Sequence, residues 1–155
     1  MAESFIISTG TKQQQYELLI AQFEAVLDEE AGQIANMANM CAMLKEQFNW
    51  LWVGFYLVQE NELVVGPYQG PLACTRIQRG KGVCGKSWQS GKPLIVPDVN
   101  QFSGHIACSS LSQSEIVIPL SKEGIIVAVF DADAETRSCF DEVDLLYLER
   151  LLCLL

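Results

Sequence analysis

The sequence predicts an α+β fold, a central antiparallel sheet flanked by helices, and two features of the chain carry that prediction. Apolar residues recur at helical spacing before residue 50 and again at the C-terminal end; between those segments they fall into short β-branched and aromatic runs. The runs come in pairs separated by short turns, the signature of hairpins, and hairpins build antiparallel sheets. The chain has 155 residues and 50% of them are apolar, enough for a core, so residues 1–155 are expected to form a single domain.

Residues 12 to 47 read as helical. "YELLIAQFEAVL" puts Leu18, Leu19, Phe23, Val26 and Leu27 on one face. "DEE" and Gly32 break the pattern, and "IANMANMCAMLKEQF" resumes it with Ile34, Met37, Met40, Cys41 and Leu44. "WLWVGFYLV" is apolar on both faces and suits a central strand. "QEN" turns the chain into "ELVVGPYQG", its hairpin partner. Further on, "VCGKSWQSG" reads as a short helix stopped by Gly91, and "PLIVPDV" as a short strand bounded by prolines. "EIVIPL", the turn "SKEG" and "IIVAVFDAD" form a second hairpin. "FDEVDLLYLERLLCLL" closes the chain as an amphipathic helix, with Asp141, Glu142 and Asp144 in a first turn where the helix dipole favours anions. Cys153 is expected on the apolar side of that helix, with Cys139 just before it.

The formal net charge of −9 argues against nucleic acid and against anionic membrane surfaces, both of which need clustered Lys and Arg. No apolar run approaches the roughly 20 residues that span a bilayer. "MAESFIISTGTKQQQY" has neither the basic nor the long apolar region of a secretory signal. A cytoplasmic protein is expected, and its six cysteines then read as thiols rather than as a disulfide framework. With no CxxC pair and a single histidine, the chain offers no closely spaced zinc ligand set; no metal and no organic cofactor are expected.

Three cysteines stand apart. Cys74 in "LACTR", Cys84 in "GVCGK" and Cys108 in "IACSS" lie in polar, glycine-rich loop sequence, whereas Cys41 sits in an apolar helical stripe. Exposed loop thiols carry an oxidation hazard unless that chemistry is used. Arg76, Arg79 and Lys81 follow Cys74 closely, and a nearby cation stabilises a thiolate. Glu115 opens an otherwise apolar strand, where a charge needs a partner. Asp131 and Asp133 end the neighbouring strand, two apart and so on one face; they are either turn residues or, with Glu115, an acidic cluster at one end of the sheet. Trp50, Trp52 and Tyr56 share a strand face, as core or, for Trp52 and Tyr56, as an aromatic wall for a small ligand. His105 lies three residues before Cys108, too local a spacing to make a Cys–His dyad by itself, and is expected to cap or pack the loop.

The succession "GPYQGPLACTRIQRGKGVCGKSWQSGKPLIVPDVNQFSGHIACSSLSQSEIVIPL", "VFDAD" and "FDEVD" resembles the free methionine-(R)-sulfoxide reductases, small enzymes with the GAF fold. The resemblance runs from about Tyr16 to the last residue. It implies a GAF-like fold in which Cys108 is the nucleophile, Cys74 the cysteine that forms a disulfide with it, and Cys84 a third active-site cysteine able to resolve or relay that disulfide. Trp52 and Tyr56 match the aromatic wall, and Glu115, Asp131 and Asp133 the acids of the substrate pocket. The implied reaction is thiol-dependent reduction of free methionine sulfoxide to methionine, with thioredoxin as the recycling partner and a homodimer as the expected assembly. Glu115 or an aspartate would protonate the sulfoxide oxygen, and a carboxylate would pair with the ammonium group that only a free amino acid carries. The alternative from the same fold is a non-catalytic GAF sensor of a small molecule or of redox state.

Overall fold

Capping residues set the helices before any packing is considered. The Thr11 hydroxyl accepts from the Gln14 N–H while the Gln14 side chain bonds the Thr11 N–H, so helix α1 (Lys12–Val26) starts with a reciprocal cap. Helix α2 (Gln33–Phe48) begins after Gly32, at φ +84°, and ends on a left-handed Asn49. The structure, a computed structural model, describes residues 4–106 and 108–155. After the two helices come β1 (Trp52–Gln59), β2 (Glu62–Gln69), β3 (Arg76–Gln78), α3 (Gly82–Ser90), β4 (Leu94–Val96), a short 3₁₀ turn, β5 (Ser114–Lys122), β6 (Ile125–Ala134) and α4 (Glu142–Leu152).

The six strands form one antiparallel sheet in the order β3-β2-β1-β6-β5-β4, as the α+β prediction requires. Alternation along the strands divides the interior in two. Val53, Phe55, Ile116, Ile118, Phe130 and Ala132 face α1, α2 and α4 in the larger core. Trp52, Tyr56, Val117 and Val129 face the other way, toward α3 and the long loops, with Leu63, Ile77, Val83 and Trp88. None of the helices among the described residues is long and apolar enough to cross a membrane.

Several expectations shift. Leu18 and Ile34 are exposed, and the buried stripes run through Tyr16, Leu19, Ile20 and Phe23 and through Met37, Met40, Cys41 and Leu44. Trp50 does not share a face with Trp52 and Tyr56: the chain bends at Leu51 and the strand starts at Trp52, which turns Trp50 into the helix-side core against Phe48 and Phe140. Strand β3 has no signal in the sequence, because three residues with one buried side chain give no period to read. Cys153 is exposed, since α4 ends at Leu152 and the residue past it points outward.

Candidate functional site

Register builds the floor of the site. Across the sheet Trp52 pairs with Asp133 and Asp133 with Glu115, while Gly54 pairs with Asp131 and Asp131 with Val117. Three acids from two adjacent strands therefore point to the same side, beside the aromatic residues of β1. Trp52 stacks on Tyr56, with ring centroids 5.7 Å apart, and on Tyr68 at 5.2 Å. Gly54 makes that packing possible: a Cβ there would lie 2.3 Å from the Tyr68 Cβ and 2.6 Å from the Trp52 ring.

Two loops and a helix form the walls. Cys74, after β2, and Cys108, in the long loop before β5, are joined by a disulfide with their Cα atoms 5.5 Å apart. Cys84 is not a loop thiol: it lies in the first turn of α3, 3% exposed, against the acids. The cavity enclosed by these pieces is about 40 Å³, room for roughly two or three waters. Trp52, Tyr56, Cys84, Cys108, Glu115, Asp131 and Asp133 line it, and Cys74 reaches it through its bond to Cys108.

Two further residues line the cavity that sequence reasoning had not placed there. His105 Nε2 lies 3.6 Å from Glu115 Oε2, so the histidine faces the acids rather than capping its loop. Ser112 is buried and donates its hydroxyl to Asp133 Oδ1. A polar residue flanking Cys108 was the available signal for both, but a loop has no period from which to read direction. Two of the three cations after Cys74 are engaged elsewhere: Arg76 pairs with Glu62 at 3.3 Å and Arg79 lies over the Trp88 ring.

Burial dominates the electrostatics. It holds Glu115 well above the usual carboxylate range, and the charge of Asp133 adds to the effect. It does the same to Asp131, with Glu115 and Asp133 next in order. Asp133 is pushed up only to about 6, because the Ser112 hydroxyl and His105 favour its charged form. The three acids thus differ: burial favours the protonated form of Glu115 and Asp131, whereas Asp133 has partners that favour its charged form. Cys84 is pushed well above the ordinary thiol range by burial and then by Asp131 and Glu115; desolvation outweighs the α3 N-terminus, which would lower it. Asp131 Oδ1 is buried with no hydrogen-bond partner among the described residues.

This fold and cavity define a class. The family model described as "GAF domain" matches residues 37–152. A free methionine-R-sulfoxide reductase from Neisseria meningitidis, solved in complex with its substrate, superposes with a TM-score of 0.95 at 48% identity, covering 99% of this chain and 93% of that one. The free methionine-R-sulfoxide reductase of Saccharomyces cerevisiae is 39% identical over 153 residues, 93% of this chain and 85% of the relative. GAF domain-containing protein A of Dictyostelium discoideum is 60% identical over 156 residues, 100% of this chain and 99% of the relative. The chain belongs to the GAF domain family and, within it, to the free methionine-R-sulfoxide reductase family.

Proposed function

We propose that this protein reduces free L-methionine-(R)-sulfoxide to methionine, using Cys108 as nucleophile and Cys74 as resolving cysteine. The observation that carries the reading is the Cys74–Cys108 disulfide at the wall of a cavity floored by three acids and two aromatic rings. A sulfoxide sulfur accepts a nucleophile once its oxygen is protonated. Glu115 and Asp131, whose burial favours the protonated form, are the groups able to donate there. The Cys108 thiolate attacks the sulfur, the oxygen passes to Cys108 as a sulfenic acid, and methionine leaves. The Cys74 thiol condenses with the sulfenic acid, releasing water and forming the disulfide. A thioredoxin-type dithiol then restores both thiols by exchange.

Trp52 and Tyr56 supply an apolar wall for the methyl and methylene groups, and Asp133, the acid closest to its ordinary pKa, pairs with the substrate ammonium. A peptide-bound methionine lacks that ammonium. The cavity of the disulfide form is too small for a whole amino acid, so the substrate enters the reduced form, in which the two loops are no longer stapled. The four free cysteines fit a reducing cytoplasm, and the exposed Ile6, Ile7, Leu18 and Ile34 suit a homodimer through the helical side.

The test is turnover of free L-methionine-(R)-sulfoxide with thioredoxin, its reductase and NADPH. The wild type is expected to turn over and Cys108→Ser to lose at least about 10³-fold, the usual scale for a covalent nucleophile. Absence of turnover in folded, fully reduced wild type would overturn the reading in favour of a ligand-binding sensor.

A further inference from the structure

The geometry points to a binding site for one thiophilic divalent cation of the zinc class, held by Cys84, Glu115 and Asp131 while Cys74 and Cys108 are joined as the disulfide. One donor atom from each of the three residues lies within 4.8 Å of the other two, and all three residues are buried. Cys84 Sγ is 4.0 Å from Glu115 Oε1. With Zn–S near 2.3 Å and Zn–O near 2.1 Å, a tetrahedral ion spaces its donors by roughly 3.5 Å, so side-chain shifts of about 1 Å or less would close the three around it.

A second observation points to a ligand independently of that clustering. Asp131 is 5% exposed and its Oδ1 has no hydrogen-bond partner among the described residues, although it lines the cavity. A buried carboxyl oxygen left unpaired is costly, and a cation that displaces the carboxyl protons would satisfy it together with the neighbouring Glu115. The cavity of about 40 Å³ holds an ion with one or two waters to complete its coordination. The donor set selects the class: a thiolate with two carboxylates suits zinc, whereas magnesium and calcium take all-oxygen sets. Cys84 is a free thiol and is not consumed by the disulfide, so it is available in this state. Binding displaces its thiol proton and the carboxyl protons to solvent. The ion would have to leave these acids before substrate could use them in the reduced form, so the site is inhibitory; that consequence alone rests on the proposed reductase activity.

The test reads binding rather than turnover, so its failure and the failure of the reductase reading are separable. The disulfide form of the full chain, stripped of metal, is titrated with Co²⁺ as a spectroscopic probe and then with Zn²⁺. The expected result is about one equivalent of Co²⁺ with a thiolate charge-transfer band, displaced by Zn²⁺. Cys84→Ser removes the band, Asp131→Asn weakens Co²⁺ affinity by at least about tenfold, and Cys153→Ser changes neither. Zinc is also expected to raise the melting temperature of the wild type and not that of Cys84→Ser. No band in the wild type overturns the proposal. So does a band that survives in Cys84→Ser, which would place the ion on another thiol. Should Cys84→Ser fail to fold, Asp131→Asn decides, and an unchanged affinity there overturns it.

Discussion

Asp133 shows how far a residue's chemistry depends on what surrounds it. Its carboxyl is pushed up to about 6 by burial, partly offset by the Ser112 hydroxyl and by His105. The folded state therefore holds a proton that the unfolded chain has already lost at the same pH. The associated stability is fully present below the unfolded value near 4 and is lost as pH rises through about 6. Replacing Asp133 with Asn, which can still accept from Ser112, removes that dependence. Urea unfolding at a series of pH values should show Asp133→Asn gaining on the wild type between pH 4 and pH 6, by up to about 3 kcal/mol. A difference that stays constant across that interval would mean the carboxyl is not buried as described. At this scale the sequence showed residue types well and surroundings poorly. Glu115 was legible because a charge in an apolar strand needs a partner. The burial of Cys84 was not, because "GVCGK" is equally good sequence for a loop and for a helix start.

At the scale of elements, α3 is the piece that most constrains the site, and Gly85 is the reason it can sit where it does. A Cβ on Gly85 would lie 2.5 Å from the backbone oxygen of Gln78 in β3. In an exposed helix interior, Gly to Ala stabilises by about 1 kcal/mol. Here the sign should reverse. Gly85→Ala has to push α3 away from β3, and overpacking of this kind costs about 1–3 kcal/mol. Thermal unfolding should show a lowered midpoint, and Cys84, one residue away, should react faster with an alkylating reagent in the folded protein. A midpoint equal to or above that of the wild type would show that the contact relaxes freely. The helix itself could be read from its sequence, down to the left-handed Gly91 that ends it. Its partner β3 could not, because a three-residue strand exists only through its pairing with β2.

For the whole molecule, the sheet separates a load-carrying side from a reacting side. On the helical side Asp144 is 1% exposed and accepts from Tyr16 at 2.8 Å and from Lys12 at 2.6 Å, tying α4 to α1. Asp144→Ala leaves the buried Tyr16 hydroxyl unpaired and leaves Lys12 with the exposed Asp141 as its ion-pair partner, a loss expected to cost about 2 kcal/mol. Because the acids and the disulfide lie across the sheet, kcat and KM for methionine sulfoxide should change less than about twofold at temperatures where the variant is folded. A large change in kcat with little loss of stability would show that the two faces are coupled.

The amino-acid sequence alone determined the kinds of element and their order, because hydrophobic period, turn residues and caps act over a few neighbouring positions. It also determined the chemical inventory: the three cysteines set apart from Cys41, the strand acids and the aromatic residues of β1. Tertiary structure decided which of these meet. Strand order and register set Trp52, Asp133 and Glu115 in one row, the disulfide brought Cys108 to the wall above them, and packing buried Cys84 and turned His105 inward. Proton affinities were decided there too, since desolvation and charge proximity are properties of the assembled cavity and of no single segment.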